Sequence, residues 1–147
     1  MSRVFTSPST GASVYVFSDD HCPPHVHARH RGDGWVARVR FSFADSEVEL
    51  LSIAPLKSVP LRRTVNGLLD EIETELPACR HDWWRIRQTT CLANQWAREM
   101  SDRLELLPAP ASEPDARQIA EAIYDPDREQ LRVTFQDGAT LDVRVSR

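Results

Sequence analysis

Four of the chain's five histidines fall within ten positions, His21, His25, His27 and His30, in the stretch DDHCPPHVHARHRGDGW (residues 19–35), beside Cys22 and two prolines. Imidazole at this density has three chemical uses: ligating a metal, passing protons near neutral pH, and working beside guanidinium groups on a phosphate. For a metal, the natural set is His21, Cys22, His25 and His27, with Asp19 and Asp20 to balance the charge. Arg29, Arg38 and Arg40 oppose that reading, because fixed positive charge repels a divalent ion. The same arginines favour a phosphodiester, which guanidinium binds in bidentate fashion. His25 and His27 beside one phosphate then supply a general acid and a general base, Arg29 and Arg38 the phosphate clamp, and His21 support from the loop. That constellation meets the needs of a metal-independent ribonuclease, and equally of nucleic-acid backbone binding without chemistry.

These side chains act together only if the chain brings them to one surface. In a strand, alternate residues share a face, so His25, His27, Arg29 and Arg31 lie on one side of HVHARHR, with Val26, Ala28 and His30 on the other. In WVARVRFSF the odd positions Trp35 to Phe43 are apolar, and Arg38, Arg40 and Ser42 face away. A turn at Gly32-Asp33 admits two neighbouring registers that both keep the faces consistent; the first pairs Val26 with Val39, Ala28 with Ala37, His27 with Arg38 and His25 with Arg40, and sets His30 against Trp35 on the core side. A second turn near Ala44-Asp45 puts Phe41 opposite Val48, Val39 opposite Leu50, Arg40 opposite Glu49 and Ser42 opposite Glu47. Agreement of three strands on one register predicts a sheet with an apolar face and a His/Arg face.

Around this sheet, Val14 and Val16 mark a further strand, and SVPLRRTVNGLLDEIETEL switches to three- and four-residue spacing, predicting an amphipathic helix over 59–76 that covers the apolar face. The stripe Trp84, Cys91, Leu92, Trp96, Met100 predicts a second helix through 79–107, with His81 packing or capping near it. PAPASEP (108–114) reads as a linker, and the alternation of Leu131, Val133 and Phe135 with Leu141, Val143 and Val145 across QDG is a hairpin signature. QIAEAIY is assigned a strand beside it, since a lone hairpin is barely stable. The expected fold is α+β: a mainly antiparallel four-stranded sheet packed on two helices (1–107), a linker (108–114), and a small C-terminal β-meander (115–147).

A chain of 147 residues with net charge −4 is not built to coat nucleic acid indiscriminately, but residues 1–43 carry five arginines against three aspartates. Three cysteines without a CxxC pair are expected to be free thiols, which implies a reducing compartment. No run of 18 apolar residues and no leader pattern is present, so a cytoplasmic protein without membrane contact is expected. No cofactor is expected.

The run D-H-x-P-P-H-x-H-A within FSDDHCPPHVHARHRGDGW resembles the signature of a bacterial family catalogued as domain of unknown function 4160, over about residues 14–84. By position the resemblance marks His21, Pro23, Pro24, His25, His27 and Ala28. LRVTFQDGATLDVRV is similar to part of domain of unknown function 2442, the kind of protein often encoded beside it. What the resemblance implies is a small cytoplasmic protein of a toxin–antitoxin-like pair with a cognate protein partner, and no settled reaction. The leading expectation is therefore a toxin–antitoxin-related protein whose His25, His27, Arg29 and Arg38 face engages RNA or another phosphate-bearing partner, with the groups to cleave it. A non-catalytic regulatory or protein-binding module comes second, and a metalloprotein third.

Overall fold

A computed structural model describes residues 1–109 and 111–145; Pro110 of the linker, and Ser146 and Arg147 at the end of the meander, lie outside the described residues. Among the described residues the fold is α+β, with two α-helices, one short 3-10 turn (Leu56–Ser58) and two antiparallel sheets of five strands each.

The first sheet runs β1 (Ser2–Thr6), β2 (Ser13–Val16), β3 (His25–Arg29), β4 (Val36–Arg40), β5 (Glu49–Ala54), each strand beside the next. The β3–β4 register is Val26 with Val39, Ala28 with Ala37, His27 with Arg38 and His25 with Arg40, the first of the two that the side-chain pattern allows. Val39 faces Leu50 and Arg40 faces Glu49 across β4–β5, with a bulge between Arg38 and Val39. Val14, Val16, Val26, Ala28, Ala37 and Val39 are all fully buried on one face. The sheet has five strands rather than four because β1 joins its edge. Its sequence SRVFT is short and shows no alternation, since a bulge at Arg3/Phe5 interrupts its pairing.

α1 (Arg62–Thr74) has the predicted amphipathic spacing and buries Leu68 and Ile72 in the core. It is tied to the β1–β2 turn through Glu71, whose carboxylate accepts hydrogen bonds from the Ser7 hydroxyl and, at 2.9 Å, the Ser9 N–H. Pro77, which has no N–H to continue the ladder, lies in the first turn of a new helix, α2 (Leu76–Arg87).

The second helix stops twenty residues before the predicted end. Gln88 closes it in the left-handed region (φ 54°), its N–H bonded to Trp84 O, and Cys91 (φ 62°) and Asn94 (φ 69°) keep the chain irregular. The chain then forms a hairpin, β6 (Trp96–Met100) and β7 (Arg103–Leu107), turned by Ser101 and Asp102, both at positive φ. The stripe of Cys91, Leu92, Trp96 and Met100 mimics a helix at four-residue steps. The turn that breaks it lacks the Asn-Gly or Asp-Gly signal.

β8 (Arg117–Asp125), β9 (Gln130–Phe135) and β10 (Thr140–Arg144) form the predicted meander, and it extends the same sheet in the order β10-β9-β8-β6-β7. β8 pairs β6 through Trp96–Gln118 and Ala97–Arg117. The two outer strands also meet, Arg144 N–H donating to Asp102 O at 2.9 Å.

α2 joins the sheets. Tyr124 of β8 lies edge-on to Phe43 (5.0 Å between ring centroids) and near Trp84 (6.3 Å), and Thr90 Oγ1 donates to Ala122 O at 2.9 Å. Arg80, fully buried, donates from Nε to Ser42 O (2.9 Å) and from Nη2 to Asp45 O (2.7 Å), so residues 41–48 leave the β4–β5 ladder at a guanidinium anchor. Cys22 and Cys91 form a disulfide across 69 residues, with Cα atoms 5.6 Å apart, which overturns the expectation of three free thiols. Cys79 is the remaining thiol, and burial pushes it up to about 12.

This packing dictates the outcome of two measurements. Native protein exposed to an aromatic disulfide reagent should titrate no thiol, unfolded protein one, and unfolded and reduced protein three; two or more in the unfolded, unreduced state would remove the Cys22–Cys91 bond. Arg80→Ala empties a fully buried site and removes the donors to the Ser42 and Asp45 carbonyls, and should cost about 2–4 kcal/mol in chemical denaturation.

Candidate functional site

The loop between β2 and β3 carries the site. Asp20 is buried, and its carboxylate is oriented by the backbone: Oδ2 accepts the Phe17 N–H at 2.9 Å while the Asp20 N–H donates to Phe17 O at 3.2 Å. Oδ1 is thereby directed at two rings, 2.9 Å from His27 Nε2 and 3.4 Å from His25 Nε2. Burial works against ionisation of Asp20, but the Phe17 N–H and the His27 and His25 rings outweigh it and hold the carboxyl below its ordinary value.

His25 is 2% exposed, its ring 5.6 Å from that of Trp83 on α2. Its Nδ1 lies 2.8 Å from Pro23 O; a carbonyl only accepts, so Nδ1 carries the proton and, in the neutral ring, Nε2 is a lone pair. Burial holds this imidazole below its ordinary value, against the Pro23 carbonyl and Asp20, which work to raise it. His27 is less enclosed, with 18% of its side chain exposed, and its ring packs edge-on against Phe17 at 4.6 Å. Rings thus run in contact from Tyr15 through Phe17, His27 and His25 to Trp83.

Of the other residues singled out by type, His21 is exposed and does not join the cluster. Cys22 is bonded to Cys91 and offers no thiolate. His30 stacks on Trp35 at 5.2 Å, as expected, and accepts the Asp33 N–H, but it is half-buried at the rim of the core. His81 pairs with Glu129 at 2.7 Å. Arg40 pairs with Glu49 at 3.6 Å, while Arg29 and Arg38 are exposed, and among the described residues no ion pair engages either.

Arg38 faces His27 and Ser52, His27 faces Tyr15, and Tyr15 faces Arg3, so one row crosses all five strands as Arg3, Tyr15, His27, Arg38, Ser52. Arg29 and Ser13 form the next paired row. This outer face presents exposed Arg3, Arg29, Arg38 and Arg40 around a half-buried tyrosine. Sequence reasoning reached His25, His27, Arg29 and Arg38 but not Tyr15, which joins through the β2–β3 pairing, or Arg3, which joins only because β1 does. Asp20 entered as a charge to balance a metal, not as the group that holds both rings, because an aspartate seven residues before His27 in a loop has no periodicity to place it.

The arrangement offers two distinct chemistries. The exposed arginine face is suited to phosphate, and the Asp20–His25–His27 cluster presents three ligand-type atoms within 4.8 Å of one another. An acid/base pair acting on one phosphate is not among them, since His25 lies beneath the surface and both rings are turned to the same carboxylate. No family model, curated protein or solved structure matches the chain.

Proposed function

We propose that the chain is an RNA-binding module that takes the phosphate backbone on the outer face of its first sheet, without cleaving it through His25 and His27. The observation that carries this reading is the cross-strand row Arg3–Tyr15–His27–Arg38 with Arg29 beside it. Guanidinium groups without an acidic partner supply charge-assisted contacts to phosphate, and a tyrosine between them supplies a face on which an unpaired base stacks, worth about 1–3 kcal/mol per base. An overall charge of −4 keeps such binding local to this face and sensitive to salt. Its resemblance to one half of a toxin–antitoxin-like pair supports a bacterial regulatory setting in which the bound RNA or a cognate protein is the partner. The expected reducing compartment rested on free thiols, and the Cys22–Cys91 bond removes that support. No helix among the described residues is long and apolar enough to cross a membrane.

Fluorescence anisotropy with a short labelled oligouridylate at low salt tests the reading. Arg29→Ala/Arg38→Ala should weaken binding at least about tenfold and lower the slope of log affinity against log salt by about 1 for each phosphate no longer engaged. Tyr15→Ala should weaken it with the slope unchanged. Arg144→Ala, on the second sheet, should bind as the wild type does. An oligonucleotide that fails to bind the wild type at low salt, or binds all variants alike, refutes it.

A further inference from the structure

We infer that Asp20, His25 and His27 form a binding site for one divalent first-row transition-metal ion. Three features of the cluster converge on a cation. First, the donor atoms are of the right kind and spacing. Two imidazole nitrogens and a carboxylate oxygen are ligands of zinc and its neighbours in the first row, and ligand atoms around one tetrahedral ion at bond lengths near 2.1 Å stand about 3.4 Å apart. His25 Nε2 and Asp20 Oδ1 are separated by 3.4 Å, His27 Nε2 and the same oxygen by 2.9 Å, and all three atoms lie within 4.8 Å of one another, so seating an ion requires the His27 ring to shift.

Second, the outer contacts are those that fix metal ligands. His25 donates Nδ1–H to the Pro23 carbonyl, which sets Nε2 as the donor atom and orients the ring; Asp20 Oδ2 is held by the Phe17 N–H, which turns Oδ1 inward. Each of these ligands is held by main chain of the loop that precedes or enters β3, so the geometry does not depend on a mobile side chain.

Third, the buried electrostatics leave a place for positive charge. His25, 2% exposed, turns a lone pair towards a carboxylate oxygen with no proton of its own to offer. His27 satisfies Asp20 in one direction by donating from Nε2, but one shared proton does not serve both rings. A cation in place of that proton gives all three groups a common partner. Asp20 contributes one negative charge and the two neutral imidazoles none, so the occupied site keeps a net positive charge, and Arg38, paired with His27, adds to it. A further ligand completing the ion's coordination would therefore be an anionic oxygen in preference to a neutral one.

The site differs from the set expected from sequence. His21 is exposed and outside the cluster and Cys22 is bonded to Cys91, while Asp20 takes the third place.

Full-length protein, stripped with a chelator and dialysed, is titrated with Co2+ and then with Zn2+. One equivalent of Co2+ should produce visible ligand-field bands, Zn2+ should abolish them competitively, and either ion should raise the melting temperature. Asp20→Asn and His27→Ala, each confirmed folded by circular dichroism, should weaken binding at least about 100-fold, beyond what loss of an outer contact alone costs. His21→Ala should leave affinity and bands unchanged. The inference is overturned if no Co2+ spectrum appears, or if it survives in the folded Asp20→Asn and His27→Ala proteins, or if His21→Ala abolishes it. Oligouridylate binding is not part of this readout, so the two proposals fail independently.

Discussion

The pairing of β3 with β4 governs the first sheet. With Val26 opposite Val39 and Ala28 opposite Ala37, the apolar side chains of the central strands turn to the core, and His27, Arg29, Arg38 and Arg40 turn the other way, while His25 at the start of β3 is buried beside Trp83 of α2. Because side chains alternate, a slip of one residue would bury Arg38 and expose Val39. The cost of that error is large: fully buried Val26, Val39 and their neighbours account for roughly 1.5–3 kcal/mol each when removed from water. The register is thus set by the core, and the chemistry on the far face inherits its spacing from it.

The second constraint is polar. A guanidinium with no solvent exposure is tolerated where its donors meet acceptors, and Arg80 meets carbonyls of a loop that has left the sheet ladder. It holds residues 42–45 against α2, and so places Phe43 against Tyr124 of the second sheet. The Cys22–Cys91 bond joins the same regions from the other side, linking the site loop to the segment that leads into β6. Asp20 is consequently anchored twice, locally by Phe17 and more distantly through its neighbour Cys22.

Legibility in the sequence followed the strength of the local pattern. β3, β4, β9 and β10 were readable because apolar and polar residues alternate cleanly in each, and α1 because Leu68 and Ile72 repeat at helical spacing. The extent of α2 was not readable: Trp84 to Met100 keep helical spacing across a stretch that Gln88, Cys91 and Asn94 break by adopting positive φ without being glycine. β1 was hidden by its bulge. At the site, residues borne on strands were placed by pairing rules, whereas Asp20 depends on a turn and Cys22 on a partner 69 residues away, relations no local rule encodes.

The order of the second sheet bears on how this chain tolerates being divided. The proline-rich segment looks like a place to cut, yet β6 and β8 on either side of it are hydrogen-bonded neighbours, and the outer strands are drawn together at Asp102 and Arg144. Severed there, the N-terminal piece would keep a two-stranded ribbon with one flank stripped of its partner and Ala97 and Leu104 uncovered. Such a ribbon would present an open edge to other strands, so the C-terminal meander acts as a cover for the hairpin that precedes it.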